Sequence, residues 1–571
     1  MQILEKALTL GKRALNEYES KILISAFGVP VVPEKTAQNV NDAIAAVAVA
    51  ESMGFPVVIK ALGSTLLHKT ERGLVQVNLS SSQAVLAAAT AMAAEAGPEL
   101  EGFLIQPFIQ GKRELVAGLF RDRQFGPVVM LGLGGIFTEA LSDVTFRVAP
   151  LTQSDALEMI GESKAKRILD AFRGEAAANR DALIQTLMGL SRLALAHPQI
   201  SEIDINPLLI SANGSVCAVD ALVVLKPEIE APVYLPAIDP HAIGSLFYPH
   251  SIAFVGASAM IGKWGHTLFT ITAGRGYKGE IYLVNPKGGT IANRPVFRSV
   301  AEIPGKVDLA VVTVPAVGVM ALLPQFKAKG ITNMLLISSG FAEVGPSGKA
   351  LEKELIQKAA QNGILVIGPN TMGICNPHIH LYCTGSHVLP EPGATAVVAQ
   401  SGNMGTQLLA FAEQQGIGIR AFCGSGNEAM VTIEDYVDAF EKDELTQTVM
   451  LYVESVKNGR RFLESCRRVG KKKPIVLLKG GQSLAGNKAA ASHTGAMSSD
   501  SRIFDAVCRQ AGIVKVERSM DLLDLSAAFS SLPLPKGNRA AIMTLGGGRG
   551  VVPADLCSEY HIAVPELSPE L

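Results

Sequence analysis

From Ser251 onward the sequence repeats one pattern, a short apolar run followed by a segment of helix length. The runs Ser251–Gly256, Glu280–Val284, Val307–Val314, Met334–Ser338 and Gly363–Ile367 come first, and 394–399, 418–423, 447–453 and 474–479 follow a break at Val388–Gly393. A strand that returns through a helix to a parallel neighbour does so right-handedly, so this alternation predicts βαβ units on parallel sheets. The residues before Ser251 read differently. Leu15, Tyr18, Ile22 and Ala26 share one helical face that stops at Gly28 and Pro30. Short β-rich runs at Pro56–Leu62, Gly102–Ile109, Gly126–Leu133 and Val216–Leu225, separated by alanine-rich stretches such as 83–96, give an α+β pattern. Pro227, Pro232, Pro236, Pro240 and Pro249, with little periodicity between them, predict an extended linker. A further break at Leu532–Gly537 precedes a predicted strand over 539–545 and one helix.

A chain of 571 residues is about four domains' worth. Hydrophobic residues at 48% and charged residues at 18% fit large cores and exclude a disordered chain. Lysine and arginine number 51 against 52 acids, so no broad attraction to nucleic acid or anionic membrane is built in, and any polyanion must be held locally. Cysteines at 217, 375, 383, 423, 466, 508 and 557 form no C-x-x-C pair, which points to a reducing compartment without zinc ribbon or disulfide framework. The N-terminus has charges where a signal peptide needs an apolar run. The apolar stretch Leu309–Phe326 is interrupted by Pro315 and Pro324 and reads as strand and turn. The expectation is a soluble cytoplasmic protein with no nucleic-acid or membrane partner.

Three places concentrate chemistry. After Ile252–Val255 come Gly256-Ala257-Ser258 and Ile261-Gly262, a glycine turn that opens a helix and lets backbone N–H groups approach a phosphate. The next strand ends in Val284-Asn285-Pro286-Lys287; a lysine there favours a ligand with a ribose phosphate over plain NAD. Ala399-Gln400-Ser401-Gly402-Asn403 is a second such helix start. About 90 residues later the small-residue loop Gly480–Ala496 carries one histidine, His493. A neutral imidazole is a good nucleophile near pH 7 and suits phosphoryl carriage; Glu454, after the apolar strand Val449–Val453, is a candidate to fix its tautomer.

The N-terminal part places Lys60 after Val57-Val58-Ile59, then His68-Lys69-Thr70-Glu71, Gln106-Pro107-Phe108, Glu114, Gly132–Gly135, Glu202–Pro207 and Asp220. Oxygen ligands at Asn206 and Asp220 suit a magnesium ion that keeps some waters and bridges phosphates. Lysine supplies a point charge to a nucleotide phosphate.

Together these blocks resemble the acyl-CoA synthetases that form a nucleoside diphosphate, the ADP-forming acetate–CoA ligases related to succinyl-CoA synthetase. Val58-Ile59-Lys60, Leu67–Gly73, Phe125–Phe137 and Glu202–Leu208 resemble their ATP-grasp part. Val255–Ser258, Val284–Lys287, Ser339-Gly340-Phe341 and Gly368-Pro369-Asn370 resemble their CoA-binding domain, and Gln400–Asn403, Ser425–Glu428 and Ser492–Ala496 their ligase domain.

The resemblance implies an α/β multidomain chain. Its expected parts are an ATP-grasp (α+β) unit over 1–228, a linker over 229–250, a Rossmann-like CoA-binding domain over 251–385, a flavodoxin-like ligase domain over 394–532, and the start of a further ligase domain over 536–571. It also implies a reaction of a small carboxylic acid, CoA and ATP to acyl-CoA, ADP and phosphate, with magnesium as cofactor. His493 matches the phosphohistidine, Glu454 its supporting carboxylate, and His68 a second histidine that relays the phosphoryl group in some members, with Asp204 beside it. Asn206 and Asp220 match magnesium ligands; Lys60, Gln106 and Glu114 fall to the nucleotide; Gly256, Ser258 and Lys287 to CoA; Ser401, Gly402 and Asn403 to phosphate. The family tends to assemble, so a homo-oligomer is among the expectations. The stretch Lys536–Leu571 is too short for an independent βα domain, and the alternative reading, a CoA-binding regulatory module without turnover, rests on that shortness.

Overall fold

The alternation after Ser251 forms two seven-stranded sheets in the computed structural model, which describes residues 2–37, 43–63, 66, 71–134, 143–164, 166–172, 174–226, 234–481 and 500–566. His68 and His493 lie outside the described residues. In the first sheet the strands stand in the order Thr290–Ile291, Arg294–Phe297, Glu280–Val284, Ser251–Val255, Leu309–Val312, Asn333–Leu336, Leu365–Ile367. Apart from the two-residue edge strand all neighbours are parallel, and the order reverses between Ser251–Val255 and Leu309–Val312. Both faces are covered. Ile252, Phe254 and Val311 enter one core while Ala253, Val255 and Val312 enter another, so the strands are apolar throughout instead of alternating with polar residues.

The second sheet has the order Leu381–Thr384, Gly373–Asn376, Ile419–Gly424, Pro392–Ala399, Thr448–Val453, Ile475–Lys479, Val514–Val516. Its five parallel strands follow the flavodoxin-like order 2-1-3-4-5 and reverse between Pro392–Ala399 and Thr448–Val453. The hairpin 373–384 falls at the end of the stretch 251–385 expected for the CoA-binding domain. A tight hairpin cannot add parallel strands, which need long crossovers, and it pairs antiparallel with Ile419–Gly424 of this second sheet.

The N-terminal third holds a four-stranded antiparallel sheet, in the order Lys35–Ala37, Gly102–Pro107, Val57–Leu62, Val75–Leu79, packed against the helices Ala43–Met53 and Ser82–Ala96. A six-stranded antiparallel sheet follows, built around Arg113–Asp122 and Ile200–Ile210. It rests on helices of the ligase part. Gln510 exchanges two hydrogen bonds with the Val148 main chain at 3.0 and 2.9 Å, Arg467 pairs with Asp155 at 3.1 Å, and Arg460 donates to the Ala149 carbonyl at 2.6 Å.

The structure gives the detail of four segments read from the sequence. The run Val216–Leu225 divides into Val216–Ala218 and Leu222–Leu225, which pair with successive parts of Ile200–Ile210. The proline-rich linker contains a docked helix, Pro240–Ser245, capped by Asp239; Ile243, Leu246 and Phe247 are buried, with Phe247 against Phe440. Pro240 is tolerated because it occupies the first turn, where no intrahelical N–H bond is lost. Leu309–Phe326 holds the strand Leu309–Val312 followed by helical turns at Ala316–Val319 and Leu323–Lys329; no helix among the described residues is long and apolar enough to cross a membrane. Finally, 539–545 forms no strand. Arg539 makes a bridge to Ala563, and Met543 and Leu545 are fully exposed, since among the described residues no sheet edge lies beside them to take up their backbone groups.

Candidate active site

Ligands of open α/β sheets sit beyond the carboxyl ends of the strands where strand order reverses. Here two such reversals face one another across a cavity of about 420 Å³. Thr313, Val314 and Pro315 line it from the CoA-type sheet, and Gln400, Ser401, Gly402 and Asn403 from the ligase sheet. Ser401 caps the helix Gly402–Gln415 and accepts the Met404 N–H at 3.4 Å, leaving the first-turn amides directed at the cavity edge.

On the CoA-type sheet, the N–H groups of Gly256 and Ala257 both donate to the Val284 carbonyl, at 2.9 and 3.1 Å. Asn285 donates to the Ala257 carbonyl at 2.8 Å and accepts the Lys287 N–H at 3.0 Å. Asn285 thereby brings Gly256, Ser258 and the exposed Lys287 to one sheet edge. Gly256 has φ +98°, and a Cβ there would stand 2.7 Å from Thr313 Oγ1. Both constraints require glycine.

Glu454 follows the strand Thr448–Val453 and is buried. Tyr452 Oη donates to Glu454 Oε1 at 3.3 Å, and Lys479 Nζ donates to the Glu454 carbonyl at 2.7 Å. Burial pushes the Lys479 ammonium down to about 8. Gln400 Oε1 accepts the N–H groups of Glu454 and Ser455 at 2.6 and 2.9 Å, while its Nε2 donates to the Ser455 carbonyl at 2.7 Å. Glu428, 2% exposed, accepts from Ser425 Oγ at 2.7 Å, and among the described residues nothing donates to its Oε2 at full hydrogen-bond geometry. Burial, reinforced by Glu434, pushes its carboxyl up to about 7 against the opposing hydrogen bonds of Ser425 and Gln400. Gly480 adjoins Glu454; a Cβ there would lie 3.2 Å from Glu454 Cγ. Gly480 and Gly481, the described residues before His493 in sequence, thus stand beside Glu454, and Asp500, the described residue after it, caps the helix Ser501–Ala511 that carries Gln510 against the N-terminal third.

In that N-terminal third, Lys60 and Asp220 come together, the Nζ 3.2 Å from Oδ2, with Glu17 at 2.6 Å and the Val219 carbonyl at 2.8 Å. Burial pulls the Lys60 pKa down, but Glu17 and Asp220 outweigh it and leave it raised. Lys21 bonds Gln106 at 2.8 Å and Glu34 at 2.7 Å, so Gln106 joins the same cluster. Glu114 lies apart, half-buried on Arg113–Asp122, where its carbonyl accepts the Gly134 N–H at 2.9 Å. Asn206 is exposed, and the Val219 N–H reaches the Pro207 carbonyl, which sets Asp220 across from it. Asp204 is raised by burial and then by Glu202 and Asp220. That edge carries surplus negative charge with hard oxygen donors, and the Asp220 side chain is 41% exposed, so the residues suit a divalent cation.

The ATP-grasp domain family matches residues 6–225, the CoA binding domain family 250–377, and the succinyl-CoA ligase like flavodoxin domain family 392–529. The chain is 35% identical over 560 residues to ADP-forming acetate–CoA ligase II of Archaeoglobus fulgidus, covering 97% of this chain and 80% of that one. It belongs to the ADP-forming acetate–CoA ligase family. The alpha subunit of Pyrococcus furiosus ADP-forming acetate–CoA ligase I is 38% identical over 322 residues, covering 56% of this chain and 70% of that one. A solved structure of a Ca. Korarchaeum cryptofilum dinucleotide forming acetyl-coenzyme A synthetase, in complex with phosphate and ADP, superposes with TM-score 0.54 at 33% identity, covering 57% of this chain and 70% of that one.

For a ligase of this family, sequence reasoning left several participants without a role. Gln400 and Glu428 lie within Gln400–Asn403 and Ser425–Glu428, but Gln400 binds the main chain of Glu454 and Ser455, far off in sequence, and the burial of Glu428 has no local signal. Glu17, Lys21 and Glu34, which hold Lys60 and Gln106, carry no local signature beyond ordinary charged residues of a helix and a loop.

Proposed function

We propose that this protein, an ADP-forming acyl-CoA synthetase, joins a small carboxylic acid to CoA at the cavity between its two βα sheets and moves phosphate through His493. The observation that carries the reading is that Gly480, before His493 in sequence, stands beside Glu454, and Asp500, after it, caps a helix packed against the N-terminal third. Three units divide the work: 1–228 for nucleotide, 251–385 for CoA with its terminal hairpin given to the neighbouring sheet, and 394–532 for phosphoryl carriage.

In the synthetic direction an imidazole nitrogen of His68, with Asp204 as its supporting acid, takes the γ-phosphoryl group of ATP, its N–P bond forming as the bond to ADP breaks; His493 then takes the group from His68, one N–P bond forming as the other breaks. Lys60, Gln106 and Glu114 order the nucleotide side. Asn206 and Asp220 would hold magnesium, which when bound neutralises phosphate charge. The phosphohistidine then loses its phosphoryl group to the substrate carboxylate, giving acyl phosphate, with Ser401, Gly402 and Asn403 binding the phosphoryl oxygens at the helix start. Glu454 orients the imidazole and stabilises its cationic form. CoA, held at Gly256, Ser258 and Lys287, loses its thiol proton and attacks the acyl carbon, and inorganic phosphate leaves.

Seven free cysteines support a reducing, cytoplasmic setting. With radiolabelled ATP and magnesium the protein should acquire an acid-labile, base-stable label; equal labelling of His493→Ala would reject the assignment. A coupled assay over short acids with CoA and ATP should yield ADP, and AMP as product would contradict the phosphohistidine route.

A further inference from the structure

The cavity has a polar rim and one apolar wall. Ser401, Gly402 and Asn403 form part of the rim, while the wall includes Met372 and Trp264. Met372 is seated by glycines from three different segments. A Cβ on Gly402 would lie 2.9 Å from Met372 Cε, one on Gly424 3.0 Å from its Cβ, and one on Gly385 2.7 Å from its Sδ. The same position on Gly385 would also run into the Trp264 ring. A Cβ at Gly402 or Gly385 would force the Met372 thioether to shift and one at Gly424 would press on its Cβ, so the three glycines leave the space that Met372 fills. Trp264 is 44% exposed, at the first turn of the helix Trp264–Gly274.

Gly402 is also the first residue of the helix whose amides face the phosphoryl group. An acyl phosphate anchored there has its acyl carbon one bridging oxygen from phosphorus, and its acyl substituent must extend over the adjacent surface. The apolar surface touching Gly402 is Met372, followed outward by Trp264. We propose that Met372 and Trp264 form the acyl-group subsite, with Met372 setting the length of chain accepted. This rests on the acyl phosphate reading above and adds the specificity-determining residues to it.

Hydrophobic pockets discriminate one methylene by roughly 10–200-fold, which sets the scale of the test. Trp264 is the single tryptophan of the chain, so its emission reports the subsite directly. Acetyl, butyryl and benzoyl phosphate are titrated against the whole protein, and affinity is read from Trp264 fluorescence without turnover. Met372→Ala should raise the butyryl-to-acetyl affinity ratio about tenfold or more. Gly385→Ala, which drives Met372 and Trp264 into the cavity, should lower it. An unchanged ratio in both variants, or wild-type emission insensitive to every acyl phosphate, overturns the subsite. Opposite shifts in the two variants support it even if no acid drives ADP formation, a result that would count against the synthetase reading alone.

Discussion

Gln400 Oε1 accepts the main-chain N–H of Glu454 at 2.6 Å, tying together the ends of the two strands between which the ligase sheet reverses its order. The helix start at Ser401 and the carboxylate of Glu454, the two groups proposed to act on the phosphoryl group, are thus set by one amide side chain. Gln400 is itself buried, so its loss cannot be made good by solvent.

Gln400→Ala leaves the N–H groups of Glu454 and Ser455 without their acceptor. An unsatisfied buried donor costs roughly 1–3 kcal/mol, and at about 1.4 kcal/mol per decade a displaced Glu454 should slow acid-dependent ADP release by about tenfold to a hundredfold. Binding of ADP to the N-terminal third should be untouched. Stopped-assay ADP yields and an ADP titration separate the two; an equal loss in both would mean general unfolding.

Glu428 holds its proton up to about pH 7 in the fold against 4.5 when unfolded, because burial and Glu434 oppose its ionisation. Between these values the folded chain binds more protons than the unfolded one, so stability falls as pH rises. The contribution is complete below about 4.5 and is lost as pH passes 7, on the order of 3 kcal/mol in total. Urea midpoints followed at Trp264 should drop from pH 5.5 to 8, and Glu428→Gln, neutral throughout, should flatten that slope. An unaltered slope in the variant removes Glu428 as the cause.

Lys60 and Glu17 form a buried pair at 2.6 Å. Removing one member of such a pair typically costs about 3–5 kcal/mol, since the other is left charged in low dielectric. Lys21, 2.9 Å from Glu17, moderates this, so Lys60→Met should destabilise the N-terminal third by about 2–3 kcal/mol. Glu17→Gln added to Lys60→Met should recover much of the loss. The nucleotide role predicts weaker ADP binding in both variants. If thermal scans reproduce the stability pattern while equilibrium dialysis gives wild-type ADP affinity, Lys60 is structural only.

The features legible in the sequence are those whose geometry is local. The turn at Gly256 and the helix start at Ser401 are written in consecutive residues, and the βα alternation announces parallel sheets. Lys60 and Asp220 are 160 positions apart, and Gln400 and Glu454 are 54 apart. No short-range pattern encodes such pairings; they arise only when strand order brings the ends together. The same reasoning explains segments whose pairing the local pattern does not show. Strand-like residues at 539–545 lack a neighbouring edge among the described residues, whereas the hairpin 373–384 takes the edge left by Ile419–Gly424. Ile243, Leu246 and Phe247 are apolar residues among prolines, and packing against Ile433–Lys442 docks the helix Pro240–Ser245 and the two residues after it.

Gly256→Ala tests the reversal point of the CoA-type sheet. The substitution meets two obstacles, a left-handed φ of +98° and Thr313 Oγ1 at 2.7 Å from the new Cβ. The first costs about 1–3 kcal/mol wherever the side chain sits. The second is a contact that Thr313→Ala would relieve, though Thr313 Oγ1 also donates to the Gly256 carbonyl at 3.2 Å and helps hold the turn. Calorimetry should therefore find CoA bound at least about tenfold more weakly by Gly256→Ala, with partial recovery in the double variant and ADP affinity unchanged in both. Wild-type CoA affinity in Gly256→Ala would mean that CoA does not approach this turn. Full recovery in the double variant would assign the loss to the Thr313 contact, not to the backbone.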